Sequence, residues 1–119
     1  MGTKRVLIIE PDDDVCDAIG SLLSRSGFDI VKAKSPDDCY ENIQIADLVL
    51  LEPAYQCAES CKRLLDNIAE LDRCVPVLVL TRAVVKELEL SAHSAVFEIH
   101  NKPVALDVLV EAINRMFGH

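Results

Sequence analysis

The 119 residues fit one domain, residues 1–119, with one core. Half the chain is apolar but only 4% is aromatic, so the core must be built from Val, Leu, Ile and Ala, the side chains of buried parallel sheets. A formal net charge of −8 argues against nucleic acid or an anionic membrane as a direct partner, since both are bound by basic surface, and favours neutral or basic protein partners.

The chain opens on Met1-Gly2-Thr3-Lys4-Arg5 and runs into four apolar residues, Val6 to Ile9. That run is too short for the apolar region of a signal peptide. No stretch approaches the ~20 apolar residues of a transmembrane helix, so the cytoplasm is the expected location. Val6-Leu7-Ile8-Ile9 reads as a first, central strand. Val15, Ala18, Ile19, Leu22 and Leu23 then recur at helical spacing, and Gly27 suits the left-handed position that closes the helix. Phe28-Asp29-Ile30-Val31 mixes polar with apolar residues, as a strand nearer the sheet edge does.

Ser35-Pro36 supplies an N-cap and a first-turn proline for a second helix with Cys39, Tyr40 and Ile43 on its apolar face. Leu48-Val49-Leu50-Leu51 is continuously apolar and reads as a third strand. Cys61, Leu64, Leu65, Ile68 and Leu71 mark a third helix, and Val75-Pro76 leads into a fourth strand, Val77-Leu78-Val79-Leu80. A short fourth helical segment carries Val84, Val85, Leu88 and Leu90. Val96-Phe97-Glu98-Ile99 reads as the fifth strand, with Phe97 and Ile99 on one sheet face. The last helix starts near Ala105 and carries Leu106, Leu109, Val110, Ile113, Met116 and Phe117.

The order is (βα)5, and right-handed crossovers place helices on both faces of a parallel sheet. Such doubly wound α/β folds bind ligands beyond the carboxyl ends of their strands. Glu10, Pro11, Asp12, Asp13 and Asp14 follow the first strand, Glu52 and Pro53 the third, Thr81 and Arg82 the fourth, and Asn101, Lys102 and Pro103 the fifth. Acid, acid, hydroxyl and ammonium therefore meet on one rim. The five cysteines are odd in number and irregular in spacing, which is no disulfide framework. Cys57 and Cys61 can share a helix face but have no His or third thiol near them in sequence for a metal. His93, His100 and His119 read as surface residues.

The text Val6-Leu7-Ile8-Ile9-Glu10-Pro11, Asp47-Leu48-Val49-Leu50-Leu51-Glu52, Val77-Leu78-Val79-Leu80-Thr81 and Asn101-Lys102-Pro103 resembles the response-regulator receiver domain of two-component signalling, over essentially the whole chain. The resemblance implies a flavodoxin-like three-layer fold with a five-stranded parallel sheet in the order 2-1-3-4-5. It also implies an aspartyl phosphorylation pocket: two acids after the first strand hold Mg²⁺, an Asp ending the third accepts the phosphoryl group, and a Thr and a Lys contact its oxygens. On that pattern Glu10, Pro11, Glu52, Thr81 and Lys102 are the pocket, and Ile99 occupies the position of the aromatic switch.

The sequence departs from the pattern at several of these places. Glu52 replaces the acceptor Asp, and one extra methylene carries its carboxylate about 1.5 Å further out. Phosphoryl transfer depends on in-line positioning, where such a displacement costs on the order of 100-fold. Pro11 offers no oxygen to Mg²⁺, which demands near-octahedral oxygen ligands, leaving Glu10 and at most Asp12 or Asp13. Asp12 to Asp14 serve equally well as the capped, acidic start of a helix. Arg82 either pairs with Glu52 or Glu10 or lies in solvent. Lys102, just before Pro103, is expected to turn inward and pair with Glu52.

The expectation is an atypical receiver that works without phosphorylation, as a protein-interaction module and not an enzyme, with no cofactor. Family members use the surface of the fourth helix, fifth strand and last helix, here about Ala83 to Leu90, Val96 to His100 and Ala105 to Phe117. The partner expected there is a protein, whether a histidine kinase, a fused output domain or a second copy in a homodimer. One alternative is a working receiver with Mg²⁺ and an unusual acidic acceptor, at most weakly autophosphorylating and autodephosphorylating. Another is a small-ligand α/β domain binding at the same rim, with a thiol-redox role through Cys57 and Cys61 as its variant.

Overall fold

The computed structural model describes residues 3–53, 58–81, 93–102 and 104–117. Along them run β1 (Arg5–Ile9), α1 (Asp13–Arg25), β2 (Asp29–Lys32), α2 (Pro36–Asn42), β3 (Leu48–Leu51), α3 (Ala58–Ala69), β4 (Val77–Thr81), β5 (Val96–Asn101) and α4 (Leu106–Met116). Helices are numbered here in chain order among the described residues. The helical segment expected at Val84 to Leu90, together with Arg82 and Cys57, lies outside them.

All strand pairs are parallel, and the order is β2-β1-β3-β4-β5 as expected. The three central strands are buried on both faces because every residue of Val6–Ile9, Leu48–Leu51 and Val77–Leu80 is apolar. Alternate residues therefore feed two separate cores. Leu7, Ile9, Val49, Leu51, Val77 and Val79 pack with Cys39 and Ile43 from the α2 side and with Leu64, Leu65 and Ile68 of α3. Val6, Ile8, Leu48, Leu50, Leu78 and Leu80 pack with Cys16, Ile19 and Leu23 of α1 and with Leu109, Ala112 and Ile113 of α4. Each fully buried leucine contributes about 1.5–3 kcal/mol, so the layered fold rests on aliphatic burial with little aromatic help.

The helix ends follow their local chemistry. Asp12 caps α1, its carboxylate accepting from the amides of Asp14 at 3.0 Å and Val15 at 3.2 Å. Gly27 takes φ 95° just past the α1 C-cap, Ser26, as its lack of a side chain allows. Ser35 caps α2 through the Asp38 amide, with Pro36 in the first turn. The second strand begins one residue later than the apolar pattern suggested, at Asp29, and β4 and β5 run on through Thr81 and Asn101.

One expectation about β5 is corrected. Phe97 does not share a sheet face with Ile99. Val77 pairs with Val96 but Leu78 pairs with Glu98, so the ladder slips at Phe97, the extra residue of a β-bulge. The bulge reverses the alternation: Val96 and Ile99 both pack toward the α3 core, while Phe97 is 55% exposed.

Candidate functional site: the carboxyl rim of the sheet

Parallel pairing delivers the rim residues together. Ile9 and Leu51 are register partners, so the residues that follow them, Glu10 and Glu52, lie side by side above the two central strands. The Glu52 amide donates to the Ile9 carbonyl at 2.9 Å, which carries the ladder one step beyond the strands. Thr81 ends β4 fully buried, and its carbonyl accepts from the Lys102 amide at 2.9 Å, extending the β4–β5 ladder to the base of the lysine.

From there the Lys102 side chain reaches inward. Its ammonium hydrogen-bonds Glu10 Oε1 and lies 3.3 Å from Glu52 Oε1. The three side chains are only 10%, 5% and 7% exposed for Lys102, Glu10 and Glu52. The inward turn expected of Lys102 is present, and so is its pairing with Glu52. The closer partner is Glu10, which the sequence offers equally to Arg82, a residue outside the described ones. The usable signal was the identity of the rim itself: two acids and one lysine after three neighbouring strands.

The four carboxylate oxygens are not equally used. Glu10 Oε2 accepts from the Asp12 amide at 3.1 Å, and Lys102 takes one oxygen of each glutamate. Glu52 Oε2 is buried and finds no donor among the described residues. Pro11 is exposed and adds no oxygen ligand, and Asp12 faces its own helix through the cap. Asp13 pairs with Lys34 at 2.6 Å on the surface. Among the described residues no group of three or more His, Cys, Asp or Glu side chains is arranged to hold a metal. Mg²⁺ is usually held by one or two carboxylates and keeps several waters. Among the described residues Glu52 Oε2 is the one rim carboxylate oxygen without a donor, and the Lys102 ammonium stands between the two acids.

The remaining candidates are placed as follows. Ile99 is half-buried and packs against the α3-side core. On the opposite sheet face, Arg115 of α4 pairs with Glu98 at 3.2 Å, with His100 Nε2 3.9 Å from the same carboxylate. His93 is no solvated surface histidine: its ring bonds Asp66 at 2.8 Å and accepts the Ala95 amide at 3.1 Å. Burial pushes the Cys39 thiol up to about 11, with the Asp38 carboxylate adding to it, and burial raises Cys16 as well. Raised thiols are poor nucleophiles. Cys61 is buried and donates to the Pro53 carbonyl at 3.2 Å, while Cys74 is exposed.

Compared by sequence, no protein-family model and no curated protein matches the chain. Compared by structure, many solved chains do. A CheY-like response regulator receiver domain protein from Methanospirillum hungatei JF-1 superposes with a TM-score of 0.84 at 21% identity, over 97% of this chain and 94% of that one. A two-component response regulator from Clostridium difficile gives 0.80 at 21% identity over 98% of both chains. A response regulator from Thermotoga maritima gives 0.78 at 20% identity, over 99% of this chain and all (100%) of that one. The fold is therefore that of response-regulator receiver domains, flavodoxin-like with the strand order 2-1-3-4-5. No helix among the described residues is long and apolar enough to cross a membrane.

Proposed function

We propose that this chain is a receiver-type signalling domain whose rim is held in one state by its own ion triad, and that it works as a protein-interaction module without aspartyl phosphorylation. The observation that carries this reading is the Lys102 ammonium bonded to both Glu10 and Glu52 in a rim about nine-tenths buried. In a phosphorylatable receiver that space takes a divalent cation and a phosphoryl group. Here a lysine supplies the positive charge and the glutamate at the acceptor position supplies a fixed negative one.

Three further features support it. The extra methylene of Glu52 lets the carboxylate meet Lys102 but moves it about 1.5 Å off the acceptor geometry. Pro11 removes an oxygen where Mg²⁺ needs one. Thr81 and Lys102, the groups that would contact a phosphoryl oxygen, are buried or engaged in the rim. The domain then acts through binding and not catalysis, with a protein partner such as a kinase or a fused output domain on the surface of β5, α4 and the segment before β5. Glu98, His100, Glu111 and Arg115 are among its described polar residues.

A second reading, phosphoryl acceptance by Glu52, draws on one observation: Glu52 Oε2 meets no donor among the described residues. Incubation with Mg²⁺ and acetyl phosphate followed by intact mass separates the two. The proposed function predicts no phosphoryl increment. A stoichiometric increment that disappears in Glu52→Gln would reject it in favour of the acceptor reading.

A further inference from the structure

We propose that a cleft at the amino ends of β4 and β5 binds a segment of a partner protein that carries apolar side chains flanked by basic ones. This site lies at the end of the sheet opposite Glu52, so it stands or falls independently of how the rim works.

The cleft encloses about 390 Å³ between the end of α3 and the starts of the two strands. That volume lies within the range of pockets that seat ligands or anchor side chains. Its walls are mainly apolar: Ile68, Leu71, Val75, Pro76, Val96 and Phe97. Phe97 is one of only three phenylalanines in the chain, and the β-bulge turns it outward to 55% exposure at the mouth of the cleft. A bulge costs the sheet a ladder step, and bulges re-aim side chains at working surfaces. Aromatic side chains, phenylalanine among them, are enriched in the buried centres of protein interfaces.

The charge around the cleft selects the partner. Glu70 and Asp72 are exposed and line an adjoining depression of about 380 Å³ that shares Leu71 and Arg73 with the cleft. Arg73 does not offset them freely. Its guanidinium donates to the carbonyls of Ile43, Gln44 and Ala46 at 3.2, 2.7 and 2.5 Å and lies 3.9 Å from Asp47. Asp66, nearby on α3, is held by His93, which braces the turn into β5. An apolar wall with an acidic margin is complementary to an apolar-basic segment. A second copy of this chain is a poor fit, because two molecules of net charge −8 repel.

Cys74 is exposed in the wall of the cleft and reports its occupancy. The probes are two synthetic amphipathic peptides of the same pattern, one Leu/Lys and one Leu/Glu. Alkylation of Cys74 is followed by peptide-level mass spectrometry, so that no other thiol contributes. The Leu/Lys peptide at about ten times its Kd should slow Cys74 alkylation by about tenfold, and the Leu/Glu peptide should leave it unchanged. Phe97→Ser, at an exposed position, should keep the melting curve but weaken binding at least about tenfold. Glu70→Gln with Asp72→Asn should weaken binding at low salt and flatten its salt dependence. Equal protection by both peptides, undiminished protection in Phe97→Ser, or no protection by the Leu/Lys peptide would each overturn the proposal.

Discussion

Removing the Lys102 ammonium leaves Glu10 and Glu52 facing each other with 5% and 7% exposure. Breaking a buried ion pair from one side costs about 3–5 kcal/mol, because the remaining charge is stranded. Lys102→Met should therefore lower unfolding stability by about that amount in urea titrations. Glu52→Gln should change it by no more than about 1 kcal/mol, since Glu10 and Lys102 remain paired and only the 3.3 Å contact is lost. Equal losses from the two variants would mean that the triad is not the unit described. A separate signature belongs to Cys39, whose thiol is raised from 9.0 to about 11 by burial. A raised pKa means that the folded state keeps its proton longer than the unfolded state. The stabilisation is thus complete below about pH 9 and is lost as pH climbs toward 11. Stability profiles should show this alkaline loss, and Cys39→Ala should reduce it.

At the scale of elements, the helix ends offer the cleanest tests. Gly27 has φ 95° with nothing within 4 Å of where a Cβ would stand. Gly27→Ala should then cost about 1–2 kcal/mol through backbone conformation alone. Asp12→Ala removes the α1 cap and should cost about 1 kcal/mol, with the same loss in the presence and absence of Mg²⁺. These ends were legible in the sequence because caps and left-handed turns are local chemistry. The strand cores were legible for the same reason, since continuous apolar runs leave few other placements. The bulge at Phe97 was not. Alternation by two gives the right face only while the ladder stays in register, and nothing within Val96-Phe97-Glu98-Ile99 marks the slip. The Glu10–Lys102 bond escaped too, because its partners, 92 positions apart, are brought together only by the order of the strands.

For the whole molecule, the fold and the chemistry of its rim separate. The aliphatic layers are those of the receiver fold, whereas on the proposed reading Pro11 and Glu52 stand where phosphorylation needs a metal-binding acid and an acceptor Asp. Restoring them should restore the response in part: Pro11→Asp with Glu52→Asp supplies a second acid and retracts the acceptor by one methylene. That double variant should bind Mg²⁺ saturably, and more tightly than the parent chain, measured by calorimetry. The most direct test of the central claim is a Mg²⁺ titration of the unmodified chain, with and without beryllofluoride, followed through the backbone amides of Glu10, Glu52, Thr81 and Lys102. A rim already bridged by Lys102 predicts no saturable shift at millimolar metal and no response to beryllofluoride. A saturable shift centred on Glu52 that grows with beryllofluoride would contradict it, and would make the glutamate a working acceptor.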